Sequence, residues 1–520
     1  MGEVLSKTRV RSLLESTLTR LARLSQPCLI LLVFTLCLFR ISETEVDPDL
    51  WGHLKFGGDI WASSKACQAD TYSYLSGEVL WINHEWLAET IFYLLYKSWG
   101  TTGLILFKTG LSFLILGTLY RHLVRSGLRP VRAGFLLVFA LLMLLPGVWH
   151  IRPQLFTYCF FLGTVILILR AEQGDLRGLW FTIPIVGLWA NLHGGVLSGL
   201  GVLGIYALAR ALARLLKRHS WFEWNVVVPI FLAFVASFLT PYGAGQWKLL
   251  LQPIVLVRPE IPEWQAVPLF SPYGLVYGAL LLLTSASLFS ARHRVSLTIF
   301  VNYTAIAITP LLAVRNGPLM AIGILILTAE YLAKALETWI PSKQEVPRRG
   351  SQALWSITSI MLAFGLAVLS IPNLRCIRFP PDTDYPVGAV RLLKESGTTG
   401  NLAVFFNWGQ YVIWHLGPGI RVSIDGRRDS LYSEKIYWQN LNFSEGRDEW
   451  DTLVTNHDTH LALVSRHYPI YELMKGRPGW SLAYEDKHSA LFVADASLFG
   501  EKLKRIGGHF LLEKSPDCLP

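Results

Sequence analysis

The sequence is poor in charge. Only 16% of its 520 residues are Asp, Glu, Lys or Arg, whereas 52% are hydrophobic and the mean hydropathy is +0.39. An average soluble domain has about 25% charged residues. The net charge of +10 could suggest nucleic-acid binding, but the basic residues stand in short clusters between apolar runs, a pattern that orients membrane proteins. The composition therefore predicts a polytopic membrane protein that binds no nucleic acid.

Cysteine motifs are also missing. The six cysteines, at positions 28, 37, 67, 159, 376 and 518, show no CxxC or other metal-ligand spacing, and three lie within apolar runs. The sequence therefore supports neither a disulfide framework nor a zinc site. Walker, GxGxxG and HExxH patterns are absent as well, so nucleotide hydrolysis and zinc proteolysis have no support.

Long apolar runs, by contrast, are frequent. Windows long enough to cross the hydrocarbon core predict about 11 transmembrane helices in an α-helical polytopic protein. The fifth window is short and could be half of a hairpin. The windows are 24–42, 102–121, 132–148, 154–170, 178–191, 195–213, 222–240, 272–290, 295–313, 317–336 and 353–371.

Basic residues between the windows predict the orientation. If the N-terminus is cytoplasmic, the even-numbered loops are cytoplasmic and hold most of the Lys and Arg between spans. Residues 1–23 are then a basic cytoplasmic lead-in, 24–371 a transmembrane domain and 372–520 a soluble external domain. Nearly all polar motifs between spans fall on the external side, so we expect them to line one cavity there.

The first external loop, 43–101, opens with two aspartates. Asp47 and Asp49 flank a proline, and the aromatic-rich segments after them predict two helices lying in the membrane interface. The pair could supply a general base and its partner, or it could only cap a helix. Two carboxylates this close favour a shared proton or a divalent cation such as Mg or Mn, and the sequence leaves that choice open.

Other external polar residues are candidates for binding a substrate phosphate. Arginine suits this task because its planar fork binds phosphate in a bidentate manner, although arginines at helix ends also anchor lipid headgroups. Histidines are weaker candidates, and the tryptophans are by default an interfacial belt. Lys108, inside the second window, is expected to extend outward. The candidates for donor-phosphate or substrate binding are His53, His84, Glu85, Arg152, His193 and Arg315.

The tail from residue 372 has a different composition. Apolar segments such as "THLALVSR" and "HSALFVAD" alternate with helical ones such as "YPVGAVRLLKES", which predicts a small α/β domain. The motifs "NWGQY" and "IDGRRD" would lie at strand ends, where sites on such sheets usually form. Asp425, Arg427 and Arg428 could bind an acceptor or form a structural ion pair.

These motifs, in this layout, resemble a known superfamily. A carboxylate pair after the first span, a long external loop with two interface helices, about ten further spans and a soluble tail are similar to the GT-C glycosyltransferases that use polyprenyl-phosphate sugars, nearest to the protein mannosyltransferase and aminoarabinose transferase types. "DPDLWGH" stands where those enzymes carry their Asp/Glu motif. "WINHEWL", "RPQLFTY", "LWANLHGG", "NWGQYVIWHL" and "VSIDGRRDSLY" also resemble a group of bacterial membrane proteins described only as glycosyltransferase candidates.

The resemblance implies an integral membrane glycosyltransferase, inverting and placed in a bacterial inner membrane. Such an enzyme moves a sugar from a polyprenyl-phosphate donor to an external acceptor, which can be a protein, a lipid or a glycan. Two other classes are open: a transporter or flippase of a lipid-linked glycan, and a noncatalytic envelope-assembly factor. A transporter or flippase would be expected to contain an inverted repeat, and none is detected in the sequence. An assembly factor would give the two aspartates no function.

Overall fold

The computed structural model describes residues 16–17, 20, 24–66, 68–77, 79–255, 261–341, 349–379, 385–497, 500–507 and 518–519. Most of the basic lead-in, 1–23, and most of the predicted basic loop at 342–349 lie outside the described residues.

Helices dominate the first 373 residues. Fourteen are present in the described part of this region. Helices α1 to α14 cover Ser25–Ser42, Pro48–Ser63, Trp86–Arg125, Pro130–Val148, Gln154–Glu172, Thr182–Ala190, Val196–Leu216, Trp224–Ala236, Ala244–Val255, Pro272–Ser290, Leu297–Ala307, Thr309–Leu312, Gly317–Trp339 and Arg349–Asn373.

Eight of these helices are long and apolar enough to cross a membrane: α1, α3, α4, α5, α7, α10, α13 and α14. Helix α13 is the most buried of the eight, and α1 packs along α14. Three shorter apolar stretches, 176–190, 224–236 and 297–312, coincide with the other three predicted windows. The structure therefore supports eight spans by length, and the count of eleven stays a prediction.

The first external loop contains both predicted helices. Helix α2 begins where Asp47 adopts an extended backbone and Pro48 occupies the first helical position, a favoured start signal. The second predicted helix continues directly into the next span as α3. The two parts of α3 meet at Gly100, whose φ of +60° and ψ of −152° suit only glycine.

The tail holds a five-stranded mixed sheet. Strands β1 and β2 form a small ribbon in the first loop, and the tail strands follow the order β4-β3-β5-β7-β6, with β4, β3 and β5 parallel. Strands β1 to β7 are Gln68–Ala69, Leu80–Trp81, Gly400–Val404, Ile420–Val422, Leu461–Ser465, Trp480–Glu485 and Ser489–Ala494. Helices α15 to α21 are Val387–Ser396, Gly409–Leu416, Arg428–Leu431, Glu434–Glu445, Thr452–Thr455, Ile470–Lys475 and Gly500–Gly507.

Two details of the predicted tail are wrong. The apolar segment "NLAVFFNWGQYVIWHL" also predicts a buried strand, but its second half forms α16. Residues 409–413 are all buried, and a fully buried apolar run cannot be assigned to a strand or a helix by its periodicity. The prediction also omits strand β6 and helices α18, α20 and α21.

The tail does not pack alone. Leu50 and Trp51 of α2 and Phe92 of α3 share one hydrophobic core with Val412 and Val422 of the tail. The first loop also pairs with the sheet edge, since the N–H of Val422 donates to the carbonyl of Tyr72 at 2.8 Å. The predicted domain boundary at residue 372 stays a prediction, but the two regions fold against each other.

A disulfide joins Cys376 and Cys518, contrary to the sequence-based expectation. The two cysteines are 142 residues apart in the chain, so no local spacing could indicate their pairing. The fold brings them together beside the start of the tail, where the N–H of Leu519 donates to the carbonyl of Ile377.

Candidate active site

Asp47 is a buried carboxylate with two tasks. Its Oδ1 accepts the N–H of Asp49 at 2.9 Å, which caps the start of α2. Its Oδ2 accepts Nε of Arg152 at 2.7 Å, and His150 lies 3.8 Å from the same oxygen. Burial acts to raise its pKa, but Arg152 and His150 outweigh burial and lower it. Asp47 is therefore held as an anion, and the capping interpretation applies to this residue.

Asp49 has the opposite character. Its Oδ2 lies 3.6 Å from Nη2 of Arg152, and 36% of its side chain is accessible. Surrounding protein and the charge of Asp47 raise its pKa to about 7. Asp49 can therefore take up or release a proton near neutral pH, whereas Asp47 cannot.

Glu263 connects two separate arginines at this site. Its Oε2 lies 3.4 Å from Arg152, and its Oε1 lies 3.4 Å from Arg315. The guanidinium of Arg315 also stacks over Trp264, with its carbon 4.5 Å from the ring centroid. Sequence reasoning did not select Glu263, although its position in the external motif "EIPEWQ" was a usable signal.

A second cluster of polar side chains lies beside the aspartates. Two of its members, His53 and Glu85, interact electrostatically with Asp49. Nδ1 of His53 lies 3.1 Å from Oε1 of Glu89, and Asn83 donates to the other oxygen of Glu89. Burial opposes protonation of His53, but Glu89 and Glu85 raise its pKa to about 9. The resulting ion pair is buried.

The motif "LWANLHGG" positions His193 against Glu85. Nδ1 of His193 accepts the N–H of Gly195 at 2.9 Å and the hydroxyl of Thr157 at 2.8 Å, so the ring proton is on Nε2. Nε2 then faces Oε1 of Glu85 at 3.4 Å. Burial lowers the pKa of His193 to about 3, which keeps the ring neutral. Glu85 is also 3.7 Å from His84, and despite its burial His84, with His53 and Arg152, lowers its pKa.

Asp47 is poorly placed to hold a metal ion. Both oxygens of Asp47 already accept hydrogen bonds, and the charge of Arg152 disfavours a second cation beside it. Among the described residues, His53, Glu85 and Glu89 each place one ligand atom within 4.8 Å of the others. A metal ion there would displace the proton of His53, and nitrogen and carboxylate ligands of this kind then fit a divalent transition metal such as Zn or Mn.

Two tail motifs lie directly on the aspartate helix. A Cβ on Gly426 of "IDGRRD" would stand 2.3 Å from Oδ1 of Asp49 and 2.7 Å from Nε2 of Gln410. The Gln410 amide from "NWGQY" is also wedged against Gly52, where a Cβ would meet its Oε1 at 2.3 Å. Gln410 is 5% exposed, and its Oε1 has no hydrogen-bond partner within the part of the chain that the structure describes. Sequence reasoning placed both motifs at strand ends but did not name these two residues.

Asp425 and Arg427 form a structural ion pair. Arg427 donates to Asp425 and to Asp70 of the first loop, and all three side chains are buried. The guanidinium also lies within 5.2 Å of the ring centroids of Phe56, Tyr72 and Trp81. Arg428 is buried over the ring of Tyr437, 3.5 Å from its centroid. This burial leaves Asp425 and Arg427 poorly placed to bind an acceptor.

Lys108 does not extend outward as expected. It is fully buried, and its Nζ donates to the carbonyls of Glu43 at 2.9 Å and Trp149 at 3.3 Å. Snorkelling requires a path to the interface, and the packed ends of α1 and α4 close that path.

No family model and no curated protein matches the sequence. Solved structures do match the fold. The chain is similar to the Archaeoglobus fulgidus oligosaccharyltransferase in the apo form, with a TM-score of 0.54 and 10% identity over 85% of this chain and 69% of that one. The same enzyme tethered to an acceptor peptide containing the NVT sequon matches with a TM-score of 0.53 and 11% identity over 90% and 74% of the two chains.

A third match is the complex of that oligosaccharyltransferase with Zn and sulfate, with a TM-score of 0.52 and 11% identity over 90% of this chain and 74% of that one. At such identities the likeness concerns the fold alone. The matches extend over both the membrane helices and the tail, which agrees with the layout expected from the sequence. The chain therefore has the fold of the Archaeoglobus fulgidus oligosaccharyltransferase.

Proposed function

We propose that the protein is a membrane glycosyltransferase that moves a sugar from a polyprenyl-phosphate donor to an external acceptor. The observation that carries this proposal is the contrast between two neighbouring carboxylates. Asp47 is locked to Arg152, whereas Asp49 is accessible and has its pKa raised to about 7. An assembly factor has no need for a proton acceptor tuned in this way, and a proton-coupled transporter would place one near the middle of the membrane rather than beside the start of a helix.

In the proposed reaction Asp49 is the general base. An acceptor hydroxyl or amide attacks the anomeric carbon and passes its proton to the Asp49 carboxylate, while the bond from that carbon to the donor phosphate breaks. Attack opposite the leaving group inverts the anomeric centre. The polyprenyl phosphate leaves with the bonding electrons, and Arg315, with Arg152 behind it, stabilises the developing charge.

A divalent cation would strengthen this chemistry. His53, Glu85 and Glu89 are the described residues that would hold it. When bound, the cation would act as a Lewis acid toward phosphate oxygens. His84 and Arg152 would then keep Glu85 ionised beside it.

We infer an external site, with the N-terminus cytoplasmic and the tail outside the inner membrane. The basic loops favour this orientation. The Cys376–Cys518 disulfide supports it, because disulfides persist in oxidising compartments outside the cytoplasm. The acceptor, whether protein, lipid or glycan, would enter between the membrane helices and the tail.

The test is transfer by the purified protein reconstituted with radiolabelled polyprenyl-phosphate sugars and a cell-envelope extract. We expect D49N to lower kcat by about 100-fold or more, the usual contribution of a general base. The matched control is D59N, ten residues along the same helix, whose carboxylate pairs with Lys55. Equal loss in both variants would reject Asp49 as the base. If no donor supports transfer by the wild-type protein, the flippase or assembly function replaces this proposal.

A further inference from the structure

Lys108 is a buried lysine that the proposed chemistry does not use. It lies within α3 with no exposed surface. A lysine inside a membrane helix is costly, so its place there needs a physical reason. Its hydrogen bonds go to two backbone carbonyls, those of Glu43 and Trp149.

Both carbonyls stand at helix ends. Glu43 is the C-cap of α1, and Trp149 is the C-cap of α4. The last carbonyls of a helix have no partner within it and carry the negative end of its dipole, so a cation is the group that suits them. One ammonium group therefore ties the external ends of two helices to a third helix.

The two segments that leave these ends carry the Asp47–Arg152 ion pair. Asp47 follows Glu43 by four residues, and Arg152 follows Trp149 by three. Other contacts join the same segments: His150 lies 3.3 Å from the carbonyl of Glu45, and the Arg40 guanidinium stacks over Trp149 at 5.3 Å. The Asp47–Arg152 pair thus joins two short chain segments, and each segment starts at a residue whose carbonyl accepts a hydrogen bond from Lys108.

We propose that Lys108 is a positioning residue that sets the spacing of the Asp47–Arg152 pair and, through it, the protonation of Asp49. This deepens the proposed function and rests on it. Asp49 responds because Arg152 offsets the charge of Asp47; the other charged groups that act on Asp49 are His53 and Glu85. If these two segments move apart, Arg152 offsets the charge of Asp47 less, and Asp49 remains protonated up to a higher pH.

The experiment compares K108M, K108R and the control S112A in the reconstituted full chain. Ser112 is one turn along α3, is equally buried, and bonds only within its helix in the contacts that we observe. We expect K108M to lower kcat about 100-fold with little change in the KM for the donor, as a misplacement of about 1 Å can do. K108R keeps the charge and the donors and should recover most of the activity, and S112A should match the wild type.

A second measurement does not depend on transfer. Infrared titration of the protonated Asp49 carboxyl, assigned by difference from D49N, should show an upward shift of the midpoint in K108M and none in S112A. Unchanged midpoints in K108M would overturn the positioning role, even if transfer falls. A shifted midpoint in a protein that transfers no sugar would support that role and reject the proposed function instead. If K108M does not fold, K108Q takes its place, with the same outcomes.

Discussion

Asp47 and Asp49 are only two residues apart in the chain, but their side chains contact different neighbours and therefore differ in their protonation behaviour. The side chain of Asp47 turns back to its own helix start and to Arg152, while that of Asp49 faces Gly426 and remains accessible. Pro48 between them sets the backbone direction at the first helical position. The same pair thus contains one structural anion and one titratable group.

The pH dependence of transfer follows from the raised pKa of Asp49. Below about pH 7 the carboxyl is protonated and cannot accept a proton, so kcat/KM should fall about tenfold per pH unit below that midpoint. The proposed donor is a phosphodiester that keeps one negative charge over this pH range, so its own ionisation should not change the rate. A pH–rate profile measured between pH 5 and pH 9 checks this. An acid limb near pH 4 would show that Asp49 is an ordinary carboxylate.

The two aspartates should also differ in stability. Since the folded pKa of Asp49 lies above its unfolded value, ionising this group costs stability as pH rises from about 4 to above 7. D49N should therefore be at least as stable as the wild type at pH 8. D47N keeps the helix cap but leaves Arg152 without its buried partner, which should cost about 3 kcal/mol. Thermal unfolding in detergent measures both, and a D49N variant less stable than D47N would contradict this assignment.

At the scale of elements, α2 is held between the membrane helices and the tail. The Gln410 side chain packs against α2 at Gly52, and the loop before α17 places Gly426 against the Asp49 carboxylate. Glycine is needed at both positions because any side chain would occupy the space of a neighbouring group. The tail therefore shapes the surroundings of the candidate base.

G426A should test this contact. Its new methyl group would displace the Asp49 carboxylate or the Gln410 amide, so we expect a fall in kcat of about 10- to 100-fold with little loss of stability. G476A serves as the matched control, because its Cβ would meet only one atom, 3.9 Å away. Steady-state transfer and thermal unfolding separate the two effects. Full activity in G426A would show that Asp49 does not depend on the tail.

At the scale of the whole molecule, the first loop and the tail act as one folded unit outside the membrane helices. They share a hydrophobic core, a backbone pairing at the edge of β4 and the Asp70–Arg427–Asp425 ion cluster. Because Arg427 neutralises two buried carboxylates from the two regions, its loss would leave both anions unpaired.

R427M should therefore loosen both regions at once. We expect a loss of about 3–5 kcal/mol of stability, as for other broken buried pairs. R447M is the control, since Arg447 is largely exposed and such surface pairs contribute about 0–1 kcal/mol. Limited proteolysis should show cleavage in the first loop and the tail together. Cleavage confined to the tail would mean that the regions are stable separately.

The local patterns in the sequence were sufficient for the membrane character, the two helices of the first loop, the alternating tail and the general layout of the fold. Hydrophobic periodicity, capping residues and loop charge act over one segment at a time, so they can be read without knowing the partners. The same is true of the polar motifs that predicted an external site.

The tertiary structure decided which polar residues meet. The connections of Glu263 to two arginines, Gly426 to Asp49, Lys108 to two helix ends and Cys376 to Cys518 all join positions far apart in the chain. Only tertiary structure separated the roles of Asp47 and Asp49, because a carboxylate's pKa depends on burial and on nearby charges from other segments. Sequence determines which groups are available, and packing determines the electrostatic environment of each.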